Sequence, residues 1–226
     1  MNLELVPMLQ QIMLVLASMV LLISFILMDQ VRLVAAIHTF AWQGALIAAI
    51  TTIVAISEGH MHLYFSALLT FTLKALLIPW MLHRQVRKLE LDHEKEALEH
   101  PVIASMIAVA LVIFSYWLVL PIVQQELIFT RNVVAISLAV VLIGFLIMVV
   151  RKQAIAQVLG FMSMENGLFL AAVSATSGMP LIIELGVAFD VLVAMVLFGI
   201  FFFQIRESIE SLDVDRLNHL SESEKE

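Results

Sequence analysis

Seven stretches of about twenty mostly apolar residues, each closed by a polar or helix-breaking gap, leave this chain one fold class. It must be an all-α, polytopic membrane protein. A helix needs about 20 such residues to cross the hydrocarbon core. In lipid, the backbone polar groups of each crossing must be satisfied within the protein, which for these runs means helices. The expected spans are Leu5–Met28, Val31–Ile56, Met61–Leu82, Val102–Val123, Asn132–Val150, Lys152–Thr176 and Leu181–Ile205. The gaps Asp29-Gln30, Glu58-Gly59-His60, Gln124-Gln125-Glu126 and Ser177-Gly178-Met179-Pro180 separate them. With 62% hydrophobic and 14% charged residues, the chain has too little polar surface for a water-soluble domain of this size. The first stretch has no preceding Lys or Arg and is too long for a signal-peptide core, so it reads as a retained span.

The cations set the expected orientation. Alternate loops carry Arg32, then Arg84, Arg87, Lys88 and Lys95, then Arg151 and Lys152, then Arg206, Arg216 and Lys225. The opposite side carries only Arg131, and Lys74 lies inside a span. This bias predicts an odd number of spans, with the N-terminus outside and the C-terminus in the cytoplasm. The charged stretch His83–His100 is rich in helix formers and reads as a cytoplasmic linker helix ending before Pro101. The expected layout is a three-span segment 1–82, the linker 83–100, a fourth span with its outer loop 101–131, a three-span module 132–205 and a tail 206–226. In the tail, Ile205, Ile209, Leu212, Arg216, Leu217 and Leu220 recur at near-helical spacing, which suits docking on a partner subunit.

Ionisable groups in hydrocarbon cost roughly 2.5–3.5 kcal/mol each, so each one in a span asks for a reason. Five need explaining: His38, Lys74, Glu165, Glu184 and Asp190. Glu165 precedes the outer end of its span by eleven residues, and Asp190 follows Pro180 by ten. At 1.5 Å per residue both lie about 15–16 Å below the outer surface. A short connection makes their helices antiparallel neighbours. If both face inward, desolvation and like charge favour a neutral form of one, and a carboxyl that can be neutral or charged is what a proton relay requires. Lys74 lies about 20 Å deep and is within reach of either carboxylate. Asn166 and Gln43 are further polar groups near the same level.

Each of these residues also has a plainer reading. Lys74 can snorkel to the cytoplasmic end. Glu184, about 6 Å deep, suits an interfacial position. His38 can be a hydrogen-bonded interior group. Glu165 and Asp190 can form a static contact with another subunit.

Redox chemistry has no anchor in this chain. It has no cysteine, which excludes cysteine-ligated Fe–S or NiFe centres within it. Of its histidines, only His38 lies well inside an expected span, while His60 and His62 lie in or beside a loop, against the facing pair that haem ligation needs. No catalytic residue, metal site or cofactor is expected in this chain. A net charge of −7 without a basic patch argues against nucleic acid as a partner.

The stretch Gly160-Phe-Met-Ser-Met-Glu165-Asn166-Gly-Leu is followed by a Gly-Met-Pro turn and Glu184-Leu-Gly-Val-Ala-Phe-Asp190-Val-Leu-Val-Ala. It resembles the three-helix K-type subunit of respiratory complex I and its Mrp antiporter relatives. In those subunits the second and third helices each carry a carboxylate, read as steps of a proton path. Asp190 matches the third-helix position. The second-helix glutamate falls instead on Met162, three residues before Glu165. Glu-Asn-Gly at this place, four extra spans in front and the tail from Ser211 to Leu220 are similar to hydrogenase-4 component E. That family comprises membrane subunits of group 4 NiFe hydrogenases, including formate hydrogenlyase-type complexes.

The resemblance implies a non-catalytic membrane-arm subunit in a prokaryotic inner membrane, contributing to H⁺ or Na⁺ translocation. Its implied partners are antiporter-like and H-type membrane subunits and peripheral NiFe and Fe–S subunits. Glu165, Asp190, Lys74, Glu184 and His38 would be the relay candidates. The alternatives are a cation/proton antiporter component, alone or Mrp-like, and a purely structural scaffold.

Overall fold

The computed structural model describes residues 5–58, 61–88, 98, 100–121 and 128–175, and then residues 186, 188, 191–193, 195, 196 and 199. Among these the regular structure is helical. The helices are α1 (Leu5–Asp29), α2 (Leu33–Glu58), α3 (Met61–Thr70), α4 (Ile78–Lys88), α5 (Pro101–Val119), α6 (Ile128–Val150) and α7 (Ala154–Ala175). A π-helical segment, Phe71–Leu77, joins α3 to α4. Five of the expected spans, carried by α1, α2, α5, α6 and α7, are single helices long and apolar enough to cross a membrane. The third is instead an α–π–α helix running from Met61 to Lys88. Most of Leu181–Ile205 and the whole tail lie outside the described residues, as do Glu184 and Asp190.

The expected break at His83 is corrected. Residues 83–88 continue α4 and do not begin a separate linker helix. The charge run misled because α4 buries one side while exposing the other. Met81, Leu82, Gln85 and Val86 are buried, whereas Arg84 and Arg87 are exposed. Arg84 lies over the Trp80 ring at 5.6 Å, a cation–π contact on that outer side.

Helices α6 and α7 form the most extensive pair, and α1 and α2 pack beside them. Small residues allow the close approach. A Cβ added at Gly144 would come within 2.8 Å of the Gly160 carbonyl oxygen and of the Met164 Cα. In lipid, where tails are as apolar as leucine, such backbone-to-backbone contact is a main source of helix association. Helix α5 packs on α6 and exposes Val102, Met106, Ile113 and Trp117 on its outer side. Proline at its first turn suits a helix start, because the missing N–H has no intrahelical partner there.

Arg151 closes the basic end of the bundle. It is 4% exposed, and its guanidinium donates to the carbonyls of Met28 and Gln30, each at 2.6 Å. These are carbonyls at the C-terminus of α1, which the helix itself leaves without partners. Gln157 in turn donates to the Arg151 carbonyl at 2.9 Å. Arg151→Gln is expected to lower the stability of the folded subunit by about 1.5–3 kcal/mol, the usual worth of hydrogen bonds from a charged donor. A denaturant titration in detergent measures this as a lower unfolding midpoint.

The bundle interior is layered. One apolar cluster, at the end carrying Arg32 and Arg151, includes Leu27, Phe40, Ile78, Leu82, Ile147 and Met162. The other includes Val20, Ile47, Ile50, Val140, Phe169 and Val173. On α1 the switch between clusters falls between Val20 and Leu27, on α2 between Phe40 and Ile47, and on α7 between Met162 and Phe169. Polar side chains occupy those three intervals.

Candidate functional site: a buried ion pair between two apolar layers

The polar layer draws on α1, α2, the π-helical segment and α7. Ser24, Gln43, Lys74, Ser163 and Asn166 are fully buried, and Glu165 is 7% exposed. Lys74 Nζ donates to the Glu165 carboxylate, and also to Asn166 Oδ1 at 2.8 Å. Asn166 Nδ2 donates to Gln43 Oε1 at 3.2 Å. The Gln43 amide then reaches Ser24 Oγ at 2.9 Å and Ser163 Oγ at 3.0 Å. Ser24 itself donates to the Val20 carbonyl at 2.9 Å. One hydrogen-bonded network thus runs from an ion pair across three amide or hydroxyl partners to a backbone carbonyl.

Two local features bring Lys74 to Glu165. The first is the π-helical segment, in which the Ile78 N–H bonds to the Leu73 carbonyl, five residues back. The wider turn rotates the residues after it relative to an unbroken α-helix, and π-turns recur at functional positions. The second is Gly44 on α2. A Cβ there would lie 2.8 Å from Lys74 Cβ and 3.0 Å from the Lys74 carbonyl carbon. With only hydrogen at that position, α2 and the π-helical backbone come close enough for the lysine stem to reach across α2 to α7. Lys74 Nζ also stands 5.3 Å from the Phe169 ring centroid, so an aromatic face covers the cation on the far side.

The cost of burial explains the arrangement. Charges sealed between apolar layers are severely penalised unless paired and fully hydrogen-bonded. Here the cation has carboxylate, amide and aromatic partners. A proton moving onto Glu165 would neutralise the carboxylate and leave Lys74 charged without its counter-ion. A proton leaving Lys74 would do the converse. The protonation state of either partner therefore changes the electrostatics of the other strongly.

Of the residues singled out in the sequence, Lys74, Glu165, Asn166 and Gln43 meet in this network, and Lys74 points to Glu165 instead of snorkelling. Met162, where the complex I glutamate would fall, is buried in the apolar cluster. His38 is exposed on α2 and faces His83 of α4, with ring centroids 5.9 Å apart. That corrects the reading of His38 as a lone intramembrane histidine. Sequence reasoning missed Ser24, Ser163, Gly44 and His83. The two serines give little signal in an apolar run, because a helical serine commonly bonds its own preceding turn. Gly44 directly after Gln43 was a clue to a close approach. Among the described residues no three or more His, Asp or Glu side chains converge as a metal site would require.

The chain shares sequence with known proteins over most of its length. The chain is 33% identical to the uncharacterized protein Rv0085 of Mycobacterium tuberculosis over 187 residues, 82% of this chain and 85% of that protein. It is 25% identical to hydrogenase-4 component E of Escherichia coli and of Shigella flexneri over 150 residues, 66% of this chain and 69% of each relative. No family model matches, and no solved structure matches. Likeness over most of both chains places this chain in one family with Rv0085, and its similarity to hydrogenase-4 component E, together with a bundle of membrane-length apolar helices, supports kinship with that membrane subunit.

Proposed function

We propose that this chain is a non-catalytic membrane-arm subunit of an energy-converting, hydrogenase-type complex, and that Lys74 and Glu165 form one protonation step of its ion path. The observation that carries this reading is the ion pair held between two apolar layers near the middle of the bundle. A structural contact alone gains little from such a place, since similarly sized apolar groups often stabilise as well or better. The kinship with hydrogenase-4 component E supports the setting: a prokaryotic inner membrane, with NiFe and Fe–S chemistry in peripheral partners and antiporter-like and H-type subunits alongside. The distribution of Lys and Arg supports a cytoplasmic basic end, and with it seven spans.

Asp190 is the proposed next station. Gly186 sits against Phe169, where an added Cβ would lie 2.5 Å from the ring. Glu165 precedes Phe169 by four residues, and Asp190 follows Gly186 by four. Two antiparallel helices in contact at Phe169 and Gly186 would carry their carboxylates toward the same level, one turn below. Glu184, nearer the outer end, is proposed as an exit or interfacial contact.

Glu165→Gln in the assembled complex tests the reading. Electron-donor-driven proton uptake into sealed membrane vesicles is expected to fall at least tenfold, with the complex still purifying intact. Uptake at the wild-type rate would sink the relay and leave the pair as a clamp.

A further inference from the structure

We propose that His38 and His83 together form a proton-loading station for the Lys74–Glu165 pair, on the side of the bundle that carries the cationic loops. This rests on the relay reading above and extends it to the point of entry.

The two imidazoles come from the same elements that build the network. His38 precedes Gln43 by five residues on α2, and His83 follows Lys74 by nine on the third span. By helical rise the histidine level is about 7 Å from Gln43 along α2 and about 13 Å from Lys74 along its own helix. Among the described residues, no other titratable side chain lies within the spans between the network and the basic end. Imidazole is the side chain suited to picking up and releasing protons between pH 5 and 8.

The pair has an outside and an inside. His38 is exposed on α2, while His83 Nδ1 is buried with no hydrogen-bond partner among the described residues. The nearby Gln85 Nε2 is buried in the same condition. Buried polar nitrogens almost always have partners, so two without one on the same helix mark a place that tolerates water. Arg84 on α4 is turned to Trp80, and Arg151 at the α6–α7 corner holds the α1 carbonyls. Asp29 and Arg32 stand at the α1–α2 corner, at the mouth of the same side.

Phe40, Ile78 and Leu82 belong to the apolar cluster between this pair and the polar layer. A dry layer there blocks a continuous leak and passes a proton only when water transiently enters, as hydrophobic constrictions do elsewhere. The step balances simply. An imidazolium N–H bond breaks, the proton crosses on water, and a Glu165 O–H bond forms. Lys74⁺ is left facing a neutral acid, which drives the charge onward.

The test uses the assembled complex in sealed vesicles with the basic face outward. His38→Gln and His83→Gln are each expected to slow donor-driven proton uptake at least tenfold in an intact complex. Both should also alter the wild-type dependence of uptake on outer pH. Zn²⁺, which binds neutral imidazole, should slow the wild type when added outside and leave the variants' residual rate unchanged. Variants with the wild-type rate and pH profile, beside a silent Glu165→Gln, would overturn the station and leave the relay standing. A Glu165→Gln complex that pumps normally would overturn the relay and the station together. Should the histidine variants fail to assemble, a wild-type complex indifferent to Zn²⁺ would overturn the station.

Discussion

Lys74→Met is expected to destabilise the folded subunit by about 3–5 kcal/mol, the usual cost of leaving a buried charge without its partner. The Glu165 carboxylate would then sit between two apolar layers with no cation beside it. Glu165→Gln should be milder, because Lys74 keeps the Asn166 carbonyl and the Phe169 face. The double variant, Lys74→Met with Glu165→Gln, replaces both charges with neutral groups of similar size and should recover most of the stability. The two substitutions should therefore be non-additive, by about 2 kcal/mol. Denaturant unfolding of the purified complex in detergent, followed for all four forms, gives the coupling directly. Proton uptake is expected to stay lost in the double variant despite its recovered fold. A double variant that pumps would reduce the pair to a clamp. A coupling near zero would mean that the two charges do not meet in the membrane.

Gly44→Val is expected to disable the same site without touching a charge. Its Cβ would lie 2.8 Å from Lys74 Cβ and 3.0 Å from the Lys74 carbonyl carbon, and the latter cannot move without its helix. Helix α2 must then back away from the π-helical segment. Overpacking of this kind costs about 1–3 kcal/mol. The functional loss should be larger than the stability loss, because Lys74 is displaced from Glu165 and Asn166 while the apolar layers still hold the bundle together. Combined with Lys74→Met, the Gly44→Val penalty should shrink, since methionine has no bond to lose across α2. A comparison of unfolding midpoints and proton uptake in the single and combined variants separates the two effects. Additive penalties would show that Gly44 acts on packing alone.

Much of the fold was legible because lipid is a strict solvent. Runs such as Leu5–Met28 and Asn132–Val150 can only be membrane helices, and the observed α1 and α6 differ from those ranges by a few residues at most. The same strictness made Lys74 and Glu165 conspicuous, since a charge in hydrocarbon must have a partner somewhere. The third span was read less well. A hydrophobicity pattern marks a crossing by its apolar length, so it ended the span at Leu82. The helix in fact continues to Lys88, and within it residues 84–87 divide between a buried and an exposed side. That misreading hid His83, which then could not be matched with His38.

The sequence by itself determined that several helices are apolar enough to cross a bilayer and that costly charges lie within them, because both follow from transfer free energies of single side chains. Only the tertiary structure decided who meets whom. Depth along a helix can be counted in residues, but direction around it depends on packing. The π-helical turn at 71–77 and the absent side chain at Gly44 are what aim Lys74 at Glu165. Ser24, Gln43 and Ser163 became one network because α1, α2 and α7 converge on the same level. Neither apolar layer can be seen in any single span, since each is assembled from residues that only packing brings together.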